Sequence, residues 1–446
     1  MTSTSISITD CVPADKRLLM ISPHFPPDSS AGTHRVRLLA PHLASYGWSP
    51  TVLTVAEQDY EGRIDPDLGA LVPPSLEVVR TRAIPAHVTR RFGLGDLGLR
   101  ALPSLRRAAW SLHRSRPFDA LFITIYPTYP ALLGPMFKRR FDVPFILDYQ
   151  DPWVGAWGSE VGGGNGGAVD VKSLATRALA RRLEPHVLQA ADAVTAVSAR
   201  TYQDAFVRSG VSSHVTSEIP IGWDPADLDA IVRRQPRHRV IPDDGRINIC
   251  YTGTLLPLGV ATLRAVLAAA RALIERDPPL ADRLRFYFFG TSNQSTGAEA
   301  RVIPHAQELG VDHLVHEHPA RLDYLDSLDA LRQANALLLL GSSEPHYTPS
   351  KVFPALLAGR PMLAVYRRES TVVEMLKTAA PPPAANLITF DENRRVESVV
   401  GCIAEALHAL VRTTGTQVSI NRAALEPWSA HALAGRLAGV CDRVAA

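Results

Sequence analysis

Ser350 and Lys351 place a hydroxyl and an ammonium group at one point of the chain, directly before a helical pattern. They follow the apolar run 336–340, which predicts a buried strand, and they precede a second apolar run at 362–366. A strand that leads into a helix in this way leaves free backbone N–H groups at the start of the helix. N–H groups, a hydroxyl and a cation together predict an anion site, most simply one for a phosphate.

Polar side chains also follow strand-like runs in the first half of the chain. His24 comes directly after the run 18–22, and Asp151 comes shortly after the run 145–148. Because open α/β sheets bind ligands at the carboxyl ends of their strands, both are candidate site residues. Simpler interpretations are also open, since Asp151 is a common turn former and His24 could pack within its loop. Trp153 could either stack on a ligand ring or fill the core.

The elements that must position these residues alternate along the chain. Strand-like runs separated by helical patterns recur in two series, the first over residues 18–197 and the second over residues 247–390. Such alternation predicts βαβ units and parallel sheets. We therefore expect an α/β protein of two doubly wound, Rossmann-like domains that face each other across a cleft.

Breaker residues mark the predicted boundaries between these domains. Residues 225–245 are rich in Pro and Arg and contain an Asp-Asp-Gly turn, which predicts an interdomain linker. We therefore expect an N-terminal domain over residues 1–224 and a C-terminal domain over residues 246–426. Residues 427–446 follow a Pro-Trp pair and are expected to form a helix that returns to the first domain.

Bulk composition limits the classes of protein that fit. A chain of 446 residues with 46% hydrophobic content predicts two or three folded domains. The net charge of +3 is too small for a dedicated nucleic-acid-binding protein, so we expect no nucleic-acid partner. The four cysteines are scattered and form no C-x-x-C pair, which favours a reducing cytoplasm. We expect neither a signal peptide nor a transmembrane helix.

Short motifs keep one order along nearly the whole chain. The first half contains Pro23-His24-Phe25-Pro26-Pro27 with Ala31-Gly32, then Leu147 to Trp153, Ala191 to Ser198 and Ile219 to Asp224. The second half contains Tyr251-Thr252-Gly253-Thr254, Phe289-Gly290-Thr291, and Pro349-Ser350-Lys351 through Gly359-Arg360-Pro361. In these motifs and their order the chain resembles the family 4 glycosyltransferases of GT-B fold.

This resemblance implies retaining transfer of a sugar from a nucleotide-diphosphate donor, without a metal and without a cofactor. The first domain would take the acceptor and the second would bind the nucleotide sugar. The resemblance assigns donor binding to Gly32, Gly253, Thr254, Gly290, Ser350 and Lys351. It further implies that Gly32 closes over the diphosphate, whose oxygens help to take the acceptor proton while Asp151 and His24 orient or polarise the acceptor. Arg360 is a weaker candidate for contact with the phosphates.

Two positions depart from the family pattern. Many members carry two glutamates eight positions apart, of which the second holds the donor ribose. Here the corresponding positions are His346 and Pro354, so the ribose must be held differently. Glu344 lies two residues before the first of these positions and is our candidate substitute for donor binding. A basic pair that often follows the first strand of the second domain is replaced by Leu255 and Leu256.

Arginines cluster between Arg90 and Arg116, where seven of them stand against one acidic residue, Asp96. The apolar residues between them predict an amphipathic helix with a basic edge. This helix is either an ordinary surface element or a peripheral membrane contact for a lipid-linked or anionic acceptor. In the second case the protein would work at the inner face of the cytoplasmic membrane.

Three functions fit the sequence. The first is a cytoplasmic glycosyltransferase that extends a glycan or a lipid-linked precursor. The second is a nucleotide-sugar epimerase of the same fold, which would need acid and base carboxylates around the sugar. The third is a non-catalytic nucleotide-sugar-binding partner protein, which is suggested by Pro354 and by the missing basic pair.

Overall fold

The chain forms two compact units. In the computed structural model, residues 16–92, 95–154, 171–211, 214–234, 239–292, 297–342, 350–413 and 416–446 are described, with the backbone alone at 92 and 171–175. The first unit comprises Met1–Ile221 together with Ala430–Ala446, and the second comprises Gly222–Ser429.

The first unit is built on a seven-stranded parallel sheet. Its strands are β1 (Lys16–Ile21), β2 (Trp48–Val55), β3 (Glu77–Thr81), β4 (Ala120–Ile125), β5 (Phe145–Tyr149), β6 (Ala193–Ala196) and β7 (Val215–Glu218). Its first helices are α1 (Thr33–Leu39), α2 (Pro66–Ala70), α3 (Ala86–Thr89), α4 (Leu97–Ser115), α5 (Leu133–Phe141), α6 (Val171–Ala190) and α7 (Arg200–Ser209). The strand order is β3-β2-β1-β4-β5-β6-β7, so the order reverses between β1 and β4. Ligands of open α/β sheets bind at such a reversal.

The second unit repeats this plan with six parallel strands. The strands are β8 (Ile247–Thr252), β9 (Leu284–Phe289), β10 (Val315–His318), β11 (Ala336–Leu340), β12 (Met362–Arg367) and β13 (Ala385–Phe390). The helices are α8 (Pro225–Arg233), α9 (Val260–Arg276), α10 (Leu280–Arg283), α11 (Ile303–Glu308), α12 (Tyr324–Gln333), α13 (Val352–Leu357), α14 (Thr371–Ala379) and α15 (Val400–Thr413). The order β10-β9-β8-β11-β12-β13 reverses between β8 and β11.

Burial explains why these segments form parallel sheets. Every residue of β4, β5 and β11 is buried, and nearly all of these residues are apolar. Strands covered by helices on both faces bury both sets of alternate side chains. Each sheet accordingly separates two apolar clusters, one on either face.

A last helix, α16 (Ala430–Val444), belongs to the first unit although it follows the whole second unit in sequence. Its side chains Leu433, Leu437 and Val440 are fully buried in the same cluster as Leu18 and Trp48. The amphipathic pattern of the last residues therefore serves the core of the first unit.

The predicted linker differs from the observed structure. Residues 225–245 begin with helix α8, and the unit boundary lies at residues 221–222. Asp224 caps α8 by accepting a hydrogen bond from the Ala226 N–H at 2.9 Å, and Pro225 occupies the first turn. An acidic cap followed by proline is a helix-start signal, although the same two residue types are also common in linkers.

Helix α9 is apolar enough to raise the question of a membrane span. Residues 257–276 reach a mean hydropathy of 1.5, and half of this stretch is buried. The buried side chains include Leu263, Val266 and Leu273, which lie in one apolar cluster of the second unit. The length and hydropathy of α9 are also those of a helix in the core of a folded domain, and its buried side chains place it in such a core.

One buried ion pair joins α1 to the middle of the first sheet. The Arg35 guanidinium donates to the Asp148 carboxylate through Nε at 2.9 Å and through Nη2 at 2.5 Å. Thr195 donates to the same carboxylate at 2.6 Å, and the Arg35 Nη1 donates to the Ile219 carbonyl. The side chains of Arg35 and Asp148 are 1% and 0% exposed, so neither charge has water as an alternative partner.

We predict that Arg35→Ala destabilises the first unit by about 3–5 kcal/mol, because it leaves the Asp148 charge buried without its partner. Urea denaturation should show this loss. The control is Arg90→Ala, which removes an ion pair between Arg90, 66% exposed, and Glu61 and should cost about 0–1 kcal/mol. Equal losses in the two variants would contradict the assigned role of the buried pair.

Candidate functional site

Two glycine loops lie side by side at the carboxyl edge of the second sheet. Gly253 follows β8 and Gly290 follows β9, with φ of +113° and +69°. The Gly253 N–H donates to the Phe289 carbonyl at 2.7 Å, and the Leu255 N–H donates to the Thr291 carbonyl at 2.9 Å. These bonds continue the pairing of the two strands into their loops. Because L side chains rarely adopt these φ values, glycine is needed at both positions.

Lys351 packs into the first of these loops. Its Nζ donates to the Thr254 carbonyl at 2.9 Å and to the Tyr251 hydroxyl at 3.3 Å, and it lies 5.2 Å from the centre of the Tyr251 ring. A Cβ atom on Gly253 would approach the Lys351 Cε within 2.2 Å. Glycine is therefore needed at position 253 for two reasons: its φ is positive, and the Lys351 side chain occupies the space that a Cβ would fill.

The charge of Lys351 is only weakly compensated. Its described acceptors are a carbonyl and a hydroxyl, and burial together with the nearby charge of Arg321 lowers the pKa of Lys351 to about 7. The Arg321 Cα lies 3.6 Å from the point where a Cβ of Gly290 would stand. Two cations beside two glycine loops favour binding of an anion, which would stabilise the protonated lysine.

The predicted donor residues are partly brought together. Lys351, Gly253 and Thr254 are in contact, and Gly290 lies in the adjoining loop. Ser350 is exposed beside Lys351. Helix α13 begins after both residues, at Val352, and is only six residues long. The contacts of Lys351 are therefore with the glycine loop after β8, and the residue lies just before the first residue of α13.

Two other predictions for the second unit have different outcomes. Glu344 lies outside the described residues, within the segment 343–349. Arg360 lies beyond the opposite end of α13, where its guanidinium donates to the Arg332 carbonyl at 2.6 and 3.0 Å. Arg321 was not predicted, because it stands alone after β10 with no neighbouring motif to mark it.

In the first unit, His24 lies in the loop after β1 and contacts a buried carboxylate. Its Nδ1 is 2.7 Å from the Asp28 Oδ2, which also accepts hydrogen bonds from the hydroxyls of Ser30 at 2.5 Å and Thr33 at 3.2 Å. Burial alone would raise the pKa of Asp28, but the hydrogen bonds from His24, Ser30 and Thr33 outweigh it and lower this pKa. The ionised Asp28 carboxylate therefore holds the His24 imidazole in place. Asp28 was not among the site residues predicted from the sequence.

Aromatic rings hold the His24 imidazole on two sides. The Tyr60 ring is stacked on it at 6.0 Å between centroids, and the Tyr126 ring lies at 5.2 Å. Gly32 is buried against Tyr126, since a Cβ on Gly32 would come within 2.3 Å of that ring. The structure thus gives Gly32 a packing contact within the first unit.

Asp151 lies just beyond the end of β5 as predicted, and the residue is exposed. The protein around its carboxyl group still desolvates it enough to raise the pKa of Asp151. The hydrogen bond of His24 goes to Asp28, and none between described residues joins His24 to Asp151. Trp153 is buried in the apolar cluster on one face of the sheet, which favours the core interpretation for that ring.

The arginines of the predicted basic cluster differ in burial: Arg100 is buried, whereas Arg106 is exposed. Arg100 is buried and donates to the carbonyls of Ile84 and Asp59, so it belongs to the scaffold. Arg106 is exposed on α4 and lies over the Trp110 ring at 5.3 Å. Trp110 in turn meets the Phe141 ring edge to face at 6.0 Å.

The basic surface continues onto the end of α5. Arg140 is exposed there and lies 5.8 Å from the centre of the Phe141 ring. We define the basic-aromatic surface as four exposed arginines and two half-buried aromatic residues. They are Arg106, Arg107, Arg139 and Arg140, with Trp110 and Phe141. It joins two helices, whereas the sequence predicted one.

Residues 31–222 match the family model described as glycosyl transferase 4-like domain. No curated protein matches the sequence.

Solved structures resemble the whole chain at low identity. HepE of Anabaena, solved in complex with UDP and glucose, is 13% identical, with 96% of this chain and 100% of that chain covered and a TM-score of 0.54. A UDP-forming α,α-trehalose-phosphate synthase from Burkholderia xenovorans is 12% identical, with 97% and 100% covered and a TM-score of 0.58. A glycosyltransferase from Rickettsia africae is 12% identical, with 96% and 98% covered and a TM-score of 0.58. These likenesses confirm the predicted α/β fold of GT-B type.

The depressed pKa of Lys351 predicts a pH dependence of stability. Below pH 7 the amine is charged in both the folded and the unfolded chain. Between about 7 and 10.5, the ordinary value, the unfolded chain keeps a proton that the folded chain has lost, so stability rises with pH. We expect the wild type to gain roughly 1–2 kcal/mol over Lys351→Met between pH 7 and 8.5 in urea denaturation.

Lys377→Met is the matched control for this experiment. Lys377 is exposed on α14 and pairs with Glu374 at 2.7 Å. This variant should follow the wild type at both pH values. The same pH dependence in the wild type and in Lys351→Met would contradict a buried, weakly compensated amine at position 351.

Proposed function

We propose that the chain is a glycosyltransferase whose donor is a nucleotide-diphosphate sugar, because residues 31–222 match the glycosyl transferase 4-like family model and the fold is of GT-B type. The anion site at Lys351 carries this proposal. A diphosphate would lie against the Gly253 and Gly290 loops, with the ammonium of Lys351 and the guanidinium of Arg321 beside it. Ser350 is exposed next to Lys351 and could add a hydroxyl.

The same arrangement supports a role in bond cleavage. When the anomeric C–O bond breaks, its electron pair leaves an additional negative charge on the diphosphate. Preorganised cations stabilise such developing charge without any rearrangement of solvent. Lys351 and Arg321 would supply this charge, and we therefore propose that transfer is metal-independent and needs no cofactor.

We further propose a retaining reaction on a hydroxyl group of a glycan or a lipid-linked acceptor. The leaving diphosphate would take the acceptor proton, while His24 and Asp151 of the first unit orient the acceptor. Both residues follow strand ends of the first sheet, and the rigid contacts of His24 with Asp28 and Tyr60 suit an orienting role. Asp151 is exposed, as a residue that meets a second substrate must be.

A thermal-shift screen across nucleotide sugars tests the donor assignment. A ligand at 100 times its dissociation constant adds about 2.7 kcal/mol of stability. We expect one nucleotide sugar to raise the melting temperature of the wild type, and Lys351→Ala to abolish the shift. Gly253→Ala should also lose it, because the new Cβ would stand 2.2 Å from the Lys351 Cε.

Gly310→Ala controls for the backbone strain of that variant. Gly310 has φ +69° and nothing within 4 Å of its Cβ position, so the substitution should keep the ligand shift. If the best nucleotide sugar stabilises Lys351→Ala as well as the wild type, the donor assignment is wrong. Isomerised sugar in the absence of acceptor would instead identify an epimerase, and binding with neither transfer nor hydrolysis would identify a non-catalytic partner protein.

We also propose that the basic-aromatic surface contacts the inner face of the cytoplasmic membrane. Exposed arginines attract anionic lipid head groups, and half-buried aromatic rings between them suit the interface below those groups. Trp110 and Phe141 hold this position between Arg106 and Arg140. This placement would bring a lipid-linked acceptor to the first unit.

Charge reversal tests the membrane contact. Arg106→Glu with Arg107→Glu should weaken binding to vesicles containing phosphatidylserine at least about tenfold, since each basic residue contributes about 1 kcal/mol near such a surface. Co-sedimentation at two salt concentrations measures this. Arg271→Glu is the control, because Arg271 is exposed on α9 and pairs with Glu275 of the same helix. Unchanged vesicle binding by the double variant would remove the proposal.

A further inference from the structure

The carboxylate of Glu317, on strand β10, accepts four hydrogen bonds. Its Oε1 accepts from the Thr291 hydroxyl at 2.5 Å and from the Arg301 backbone N–H at 2.8 Å. Its Oε2 accepts from the backbone N–H groups of Val302 and Ile303, each at 3.0 Å. A carboxylate offers about four acceptor positions, so these donors use its whole hydrogen-bonding capacity. Glu317 therefore joins the loop after β9, which contains Thr291, to the start of α11.

Two of these bonds close a hydrogen-bond network around the loop after β8. The Thr291 carbonyl accepts from the Leu255 N–H at 2.9 Å, and the Leu255 carbonyl accepts from the Arg301 Nη1 at 3.0 Å. Arg301 and Thr291 both donate to Glu317, which completes the circuit. We call Leu255, Thr291, Arg301 and Glu317 the Glu317 network. A displacement of Leu255 away from its two partners would break two of its hydrogen bonds.

The Glu317 network adjoins the anion site in sequence and in space. Leu255 directly follows Thr254, whose carbonyl accepts from the Lys351 Nζ at 2.9 Å. Thr291 directly follows Gly290, the glycine of the second loop of the site. Thr291 is fully buried, so its hydroxyl has no water as an alternative partner to Glu317. The network therefore determines where the acceptor of Lys351 and the second glycine loop lie relative to each other.

We propose that Glu317 is a positioning residue for the donor, which fixes through Thr291 and Leu255 the two glycine loops that hold the diphosphate. This inference rests on the proposed function and assigns to the donor site a residue on a third strand. A carboxylate repels a diphosphate, so Glu317 acts through the loops and makes no contact with the ligand. Its four donors offset that negative charge within the protein.

Glu317→Gln tests this role with the nucleotide sugar found in the thermal-shift screen. Whichever way the amide turns, its NH₂ group replaces an oxygen that accepts two hydrogen bonds. We expect the dissociation constant of the donor, measured by isothermal titration calorimetry at 25 °C, to rise at least about tenfold. Glu308→Gln is the matched control, because Glu308 also contacts α11 as its last residue, is exposed and pairs with Arg264. This variant should keep the wild-type dissociation constant.

A second readout of the same variants needs no donor. The pKa of Lys351 is lowered to about 7 by burial and by the charge of Arg321, and the Tyr251 hydroxyl also faces the amine. If Glu317→Gln releases the loop that carries the Thr254 carbonyl, the amine gains water. The increase in stability between pH 7 and 8.5 should then fall by about half or more in urea denaturation. Glu308→Gln should keep the wild-type increase, and a purely structural role of Glu317 would lower stability equally at both pH values.

Two variants of Thr291 keep the inference testable if Glu317→Gln does not fold. Thr291→Ser retains the hydroxyl that donates to Glu317, whereas Thr291→Val retains the shape of the side chain without it. The serine variant should bind the donor within about twofold of the wild type, and the valine variant should bind it at least about fivefold more weakly.

Equal dissociation constants in the two Thr291 variants would overturn the inference. So would wild-type donor binding by Glu317→Gln together with the wild-type increase in stability between pH 7 and 8.5. If the wild type binds no nucleotide sugar, the proposed function fails instead, and the pH dependence of Glu317→Gln then decides whether the network positions the loop at Lys351.

Discussion

The buried pair of Arg35 and Asp148 is the constraint on which the first unit depends. It fixes helix α1 to strand β5 with two charge-assisted hydrogen bonds at 2.5 and 2.9 Å. Thr33, in the first turn of that helix, donates to Asp28, and Asp28 holds His24. A single chain of contacts thus runs from the centre of the sheet to the imidazole. The rigidity of the candidate acceptor side is therefore a property of the core.

The second unit contains a buried positive charge, that of Lys351, whose described acceptors are uncharged. Its lysine lies across a glycine loop with a carbonyl and a hydroxyl as described acceptors, and a neighbouring arginine adds further positive charge. Such a site is unfavourable for the folded chain by itself and becomes favourable when an anion is present. In the first unit, in contrast, the buried charges of Arg35 and Asp148 pair with each other.

Much of this arrangement could be predicted from the sequence, and the remainder depends on contacts between distant segments. Alternating strand-like and helical patterns predicted both parallel sheets. The family resemblance assigned Gly253 and Lys351 to donor binding, and the structure brings these two residues into contact. Arg321 could not be found, because its proximity to Lys351 arises only when β10 and β9 pair. The helix in residues 225–233 was overlooked because its cap and proline also fit a linker.

The first unit draws its core from both ends of the chain. Strand β1 lies in the middle of its sheet, and α16 covers one face of that sheet, yet the two are separated by the complete second unit. During synthesis, residues 222–429 emerge in full before α16 leaves the ribosome. The second unit can then mature first, while the first keeps apolar side chains such as Leu18 and Trp48 uncovered. The unit that begins the chain is therefore the one whose core is completed last in synthesis.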